Sequence, residues 1–302
     1  MIFSKLRNNK KVLFLYRKSR NTLSTISPTI SSKVLFRLIL GQKLNLKNPQ
    51  TMNEKLMWLK LNTYNNNSLV TKCVDKYRVR EYVKENGCDE ILNDLIGVWD
   101  NVNDINWDVL PNKFVIKCNH GCKYNIICQD KNNFDIEDAK IKLNNWIKTD
   151  YWKSHAEVNY KYICRKIICE RYLNDGTGYL PEDYKFHCFN GKAEYVMICV
   201  GRENGKPKYY YFDRLWNMME FSQDALGISK KTCVIEKPQE IDKMFKYAEK
   251  LSKPFPFVRV DFYLIKGKII FGELTFTPSG CLDSDIFLEA DKKMGEKIIL
   301  NL

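Results

Sequence analysis

In the last quarter of the chain, Arg259-Val-Asp261-Phe is followed, twelve residues after Asp261, by Glu273-Leu-Thr275. Two carboxylates and a guanidinium at that spacing can hold magnesium against a triphosphate. Mg2+ takes oxygen ligands, usually one or two carboxylates with phosphate and water completing its shell. An ordinary surface network of Arg, Asp and Glu is the competing reading. The choice turns on whether Asp261 and Glu273 share a face.

The surrounding residues read as a β-hairpin. β-Branched and aromatic residues fill 257–265 and 268–275, flanking Lys266-Gly267-Lys268. Alternation puts Arg259, Asp261 and Tyr263 on one face. A three-residue loop, 266–268, sets Asp261 directly across from Glu273, with Cβ atoms about 5 Å apart. A two-residue loop puts them on opposite faces.

Other segments carry matching chemistry. Phe114-Val-Ile-Lys117 ends a buried strand in a lysine just before Cys118-Asn-His120-Gly121, where an ammonium can meet phosphate beside a tight loop; a solvated strand end is the alternative. Ile167 to Leu173 reads as a strand entering a connection, with free backbone groups for an adenine edge. Asp183-Tyr-Lys185 opens a strand with acid and base on one face, and Asp75-Lys76 starts a helix with Arg80 a turn later. Cys118-x-His120-x-Cys122 suits strand alternation better than tetrahedral zinc. His155 and His187 read as structural. Tyr211, Asp213, Arg214 and Trp216 read equally as an acceptor pocket or a packed loop. Asp283-Ser-Asp285 is a short D-x-D motif of the kind glycosyltransferases use for metal.

The elements that must position these residues follow from periodicity. Helices are expected over 53–61, 75–85, 136–147 and 238–251, the last with Pro238 in its first turn and Ile241, Met244, Phe245, Ala248 and Leu251 on one stripe. A loop is expected around Gly97. Strands are expected over 113–118, 124–128, 166–170, 183–189, 193–200 and 208–212, with turns at Asn190-Gly191 and Asn204-Gly205. Runs of strands segregated from helices argue an α+β fold rather than a doubly wound parallel sheet.

The 302 residues suffice for a full core in two or three lobes. Eleven cysteines, an odd number without CxxC spacing or a signal peptide, fit reduced thiols and a cytoplasmic setting. No apolar run reaches membrane-spanning length. The net charge of +13 is uneven: residues 1–53 hold eleven of the 49 basic residues and none of the 36 acidic ones. Residues 54–302 thus carry 38 basic against 36 acidic side chains. This basic arm, with apolar residues among its charges, suits an anionic membrane surface or a polyanion, or else a helix packed on the body with a solvated basic face. No nucleic-acid-binding motif accompanies the charge.

Together these motifs resemble the ATP-grasp superfamily. From about residue 48 onward they are similar to its branch related to the teichuronopeptide-biosynthesis protein, which acts in surface-polysaccharide synthesis. The resemblance rests on Thr51-Met-Asn-Glu54-Lys55, Asp75-Lys76-Tyr-Arg-Val-Arg80, Leu110-Pro111, Phe114 to Gly121, Asp183-Tyr-Lys185 and Phe271-Gly-Glu273-Leu-Thr275-Phe. It implies an ATP-grasp fold, two α+β lobes clamping ATP: a basic arm (1–53), a preceding region (54–112), a small ATP-binding lobe (113–165) and a C-terminal lobe with hinge and metal site (166–302). Lys76 and Lys117 would contact the α- and β-phosphates, with residues 119–123, including His120, Gly121 and Lys123, as the mobile phosphate loop. Glu170, Arg171, Tyr172 and Leu173 would form the adenine-reading hinge, and Asp183 would hold the ribose. Lys185 would meet the γ-phosphate and Arg259 the transferring phosphoryl group. Asp261, Glu273 and Thr275 would be the Mg2+ ligands. The loop is poorer in glycine than the usual pattern, and Thr275 stands where many relatives have asparagine.

The implied activity is ATP- and Mg2+-dependent joining of a carboxylate, activated as an acyl phosphate, to an amine. The substrates would be a carboxylate-bearing sugar or polysaccharide precursor and a small amine or amino acid, met in the cytoplasm or peripherally at the inner face of the membrane. A sugar kinase on the same ATP site, a polysaccharide glycosyltransferase and a nucleotide-binding scaffold without turnover are the alternatives.

Overall fold

A computed structural model describes residues 10–174, 176, 181–201, 207–227 and 235–301. The chain opens with helices α1 (Lys10–Ile26) and α2 (Pro28–Leu40), the latter capped by the Ser27 side chain, started by Pro28 and ended by Gly41 at φ 71°. Helix α3 (Met52–Leu61) begins in a reciprocal capping box between Thr51 and Glu54. Helices α4 (Ser68–Val74) and α5 (Val79–Glu85) follow. The single helix expected over 75–85 is thus displaced. Asp75 ends α4, and its carboxylate accepts from the backbone N–H groups of Tyr77 and Arg78, bending the chain before α5.

Two antiparallel sheets carry the site. Strands β1 (Leu95–Trp99), β2 (Phe114–Cys118), β3 (Asn125–Cys128) and β4 (Ile167–Arg171) form one, in the order β1-β4-β2-β3. Helix α6 (Ile136–Ile147), N-capped by Asp135, covers a core with Phe114, Ile116, Leu143 and Ile167. The Gly97 region is therefore a strand rather than a loop. Its glycine lies under the Trp99 ring, where a Cβ would come within 2.2 Å. This sheet also crosses the expected lobe limits 113–165, because antiparallel pairing recruits β1 from before them and β4 from after.

The second sheet has β5 (Asp183–Phe189), β6 (Lys192–Val200), β7 (Lys208–Asp213), β8 (Met218–Met219), β9 (Phe257–Ile265) and β10 (Lys268–Thr275), in the order β10-β9-β5-β6-β7-β8. The expected Asn204-Gly205 turn lies outside the described residues. Helix α7 (Ile241–Ser252) buries Met244, Phe245, Ala248 and Leu251 against this sheet. Helix α8 (Leu288–Glu296) meets the start of α3 so closely that a Cβ on Gly295 would fall 2.2 Å from the Gln50 carbonyl oxygen. Leu35, Phe36 and Leu44 join the larger core, so the basic segment docks on the body. Among the described residues no helix is long and apolar enough to cross a membrane.

Candidate functional site

The hairpin β9–β10 settles the facing question by an unexpected route. Ile265 pairs with Lys268, so the loop has two residues, the geometry that separates the carboxylates. A β-bulge between Phe271 and Glu273 then shifts the register by one, and Glu273 lies opposite Asp261. Gly272 occupies the bulge, where a Cβ would sit 3.0 Å from the Asp261 carbonyl oxygen. The close backbone approach selects glycine.

Five charged side chains interlock there. Arg259 donates from Nε to Asp261 Oδ1 (2.8 Å) and from a terminal nitrogen to Oδ2 (2.7 Å). Lys185 Nζ reaches Asp261 Oδ2 at 2.8 Å and Asp183 Oδ2 at 2.5 Å. Arg259 also donates to Thr275 Oγ1, which donates to Glu273 Oε1. Burial alone would raise the Asp261 carboxyl, but Arg259 and Lys185 outweigh it and hold it at about 2. Burial pulls the Lys185 ammonium down, yet the Asp261 and Asp183 carboxylates raise it above its ordinary value. Truncating one partner of such a cluster leaves buried charge uncompensated, a loss of about 3–5 kcal/mol.

Between the two sheets lies a cleft of 330 Å³, within the range of small-molecule sites. Lys76, Lys117, Lys123, Glu170, Arg171, Tyr172, Leu173, Asp183, Lys185, Asp261 and Glu273 all line it. Lys117 Nζ pairs with Glu170 Oε2 at 2.7 Å, and Arg80 stands 3.5 Å from the other Glu170 oxygen. Lys76 donates to the Gly121 carbonyl at 2.7 Å, tying itself to the loop at 119–123.

Four expected contacts lie off this cleft. His120 is 3% exposed, with Nε2 against the Trp146 and Thr149 carbonyls and its ring edge-on to Tyr124. Burial lowers it to about 4, so it anchors the loop as a neutral imidazole. Gly121 packs under Tyr124 and Tyr151, and Arg259 and Thr275 sit behind the carboxylates. Asn119, expected only as the first residue of the phosphate loop, is a clamp instead. Fully buried, its amide donates to Asp75 and the Cys164 carbonyl while its oxygen accepts from the Lys166 N–H. Its partners lie 44 to 47 residues away, so no local signal marks it. The Cys118, His120 and Cys122 side chains form no metal cluster among the described residues.

The donor set fits Mg2+. Asp261 and Glu273 supply two facing oxygen-ligand side chains at a lysine-rich cleft. That number suits an ion whose remaining ligands come from phosphate and water.

Two antiparallel sheets closing on a cleft, with paired carboxylates on one and a lysine-bearing loop on the other, define an ATP-grasp architecture. The chain belongs to the TupA-like ATPgrasp family, whose model matches residues 54–299. ATP and Mg2+ are accordingly its cofactors. Similar solved structures include D-alanine–D-alanine ligase from Bacillus anthracis, 19% identical with a TM-score of 0.42, the match covering 74% of this chain and 62% of that one. L-Amino acid ligase from Bacillus licheniformis is 14% identical with a TM-score of 0.41, covering 74% of this chain and 48% of that one. The chain thus spans less than two thirds of either ligase. No curated protein matches it.

Proposed function

We propose that the protein is an ATP-dependent carboxylate–amine ligase acting on a surface-polysaccharide precursor. The observation that carries this reading is the facing pair Asp261 and Glu273, braced by Lys185 and Arg259, at a cleft also lined by Lys76, Lys117 and residues 170–173. A carboxylate oxygen of one substrate attacks the γ-phosphorus of ATP, and ADP leaves with the bond pair. The amine, as its free base, then attacks the acyl carbon, inorganic phosphate leaves with the C–O electron pair, and the nitrogen gives one proton to the departing phosphate or to solvent. Such chemistry needs positioning and charge stabilisation rather than an activated serine or cysteine.

In this reading Lys76, Lys117 and Lys123 hold phosphate oxygens, so Lys117 exchanges its Glu170 partner for the nucleotide. Asp183 meets the ribose, and Tyr172 and Leu173 meet the base through their backbone. Asp261 and Glu273 would hold Mg2+, which would supply charge neutralisation at the phosphates. Lys185 stabilises charge on the transferred group, and Arg259 acts through Asp261, which it holds in place. The polysaccharide context rests on the family description and the sequence motifs. An ADP-release screen with mass detection of products, run over uronic-acid and amine pairs, tests the reading. Amide product with free phosphate supports it, and phosphate retained on a sugar converts it to a kinase.

We further propose that the N-terminal helices rest on an anionic membrane surface. Ile30, Val34 and Leu38 form an exposed stripe at four-residue spacing on α2, flanked by exposed Lys33 and Arg37, and Phe14 and Leu15 are exposed on α1. Apolar stripes bordered by cations are the signature of interfacial helices.

A further inference from the structure

Asn119 lies one residue past the end of β2, where strand gives way to phosphate loop, and it pairs differently from the residues before it. Cys118 stands opposite Ile167 in the β2–β4 ladder, which puts Asn119 opposite Lys166. The Asn119 N–H donates to the Lys166 carbonyl at 3.0 Å. The Lys166 N–H, however, goes to the side-chain oxygen Oδ1 of Asn119, at 2.8 Å. A hydrogen-bonded antiparallel pair ordinarily exchanges both bonds through the backbone. Here the side-chain amide stands in for a backbone carbonyl, and the carbonyl so released accepts the N–H of Lys76 at 3.2 Å.

The same side chain also holds the bend that carries Lys76. Its Nδ2 donates to Asp75 Oδ1 at 2.8 Å and to the Cys164 carbonyl at 2.9 Å. Asp75 Oδ1 accepts as well from the N–H groups of Tyr77, at 2.8 Å, and Arg78, at 3.2 Å. That bend presents Lys76 to the nucleotide cleft, and the lysine's ammonium reaches back to the Gly121 carbonyl at 2.7 Å. Lys76 is thus tied to the loop twice, by its backbone at Asn119 and by its side chain at Gly121. Asn119 itself is 0% exposed with both its amide nitrogen and its amide oxygen engaged. It can act on a ligand only through these neighbours.

We infer that Asn119 is a positioning residue for nucleotide binding, setting the backbone of Lys76 against the root of the phosphate loop and fixing both to the start of β4. This rests on the reading of Lys76 as a phosphate contact. A phosphate that reaches the Lys76 ammonium takes it from the Gly121 carbonyl, releasing residues 121–123 from that bond while Asn119 keeps the lysine's backbone in place. The residue type follows from the demands made on it. An ionised aspartate could accept from Lys166 but has no hydrogen for Asp75 and sets a second buried carboxylate against it. Alanine offers neither donor nor acceptor.

The test measures ADP binding to the full chain, with Mg2+ present, by calorimetry for the wild type, Lys76→Met, Asn119→Ala and the double variant. Each single variant is expected to weaken ADP by about tenfold or more. The double variant is expected to bind within about threefold of Lys76→Met, because losses within one hydrogen-bonded network do not add. Asp75→Asn keeps the accepting oxygen and is expected to lose less affinity than Asp75→Ala by about threefold or more, so the partnership stays measurable where Asn119→Ala fails to fold. Wild-type affinity in folded Asn119→Ala, losses that multiply in the double variant, or equal losses in the two Asp75 variants would each overturn the inference. Wild-type affinity in Lys76→Met overturns instead the phosphate reading of Lys76 on which it rests.

Discussion

At the scale of single residues, the two carboxylates of the hairpin are unequal. Asp261 has both oxygens committed to Arg259 and Lys185, whereas Glu273 is 39% exposed at the cleft. Asp261→Asn is therefore expected to lose activity and stability together, by about 3–5 kcal/mol of folding free energy. Glu273→Gln is the cleaner probe: ADP formation falls at least about a hundredfold while the melting temperature stays near wild type. Wild-type turnover in Glu273→Gln would remove the magnesium assignment.

The histidines give a pH signature. Burial lowers His187 to about 3 and both His120 and His155 to about 4. Their folded values lie below the unfolded one of about 6.5, so the stability they confer is complete above pH 6.5 and is lost as pH falls towards 4. For His187 the loss is about 3 kcal/mol by pH 4. A melting temperature that stays flat from pH 7 to 4 would contradict this. With no histidine titrating near neutrality, any rise in ligase rate between pH 6 and 9 is expected to follow the pKa of the amine supplied. Exchanging amines of different basicity tests this directly.

At the scale of elements, the β9–β10 hairpin joins a two-residue turn to a one-residue bulge, and only the combination makes the carboxylates face. Gly272→Ala forces the Asp261 carbonyl away and is expected to cut activity about tenfold or more with a melting-temperature change of a few degrees. Equal activity in Gly272→Ala would show that the pairing of Asp261 with Glu273 does not govern turnover. The strands of this hairpin were legible because alternation and turn chemistry are local. The bulge was not, since Phe271-Gly272-Glu273 reads equally as unbroken strand. Helix α6 was legible from its period, while the seven-residue α4 was too short for a period to show. Lys117, Lys185 and the strand exit at Glu170 were legible as motifs. The burial of His120 and the clamps made by Asn119 and Asn53 depend on partners tens to hundreds of residues away, which no local pattern encodes.

At the scale of the whole molecule, the docking of Leu35, Phe36 and Leu44 in the main core means that removing residues 1–53 would damage the body. The membrane proposal is better tested by Phe14→Ser, Leu15→Ser and Val34→Ser, all at exposed positions. Each substitution is expected to weaken binding to phosphatidylserine-containing vesicles while leaving activity on water-soluble substrates unchanged, and raised salt should weaken it further. Binding that ignores both salt and substitution would rule the surface out. The link from Asn53 to Asp291 spans 238 residues. During synthesis, then, the Asn53 side chain at the start of α3 waits for partners made some 230 residues after it. A chain released before Asp291 is made would hold the first turn of α3 without the carboxylate that fixes it.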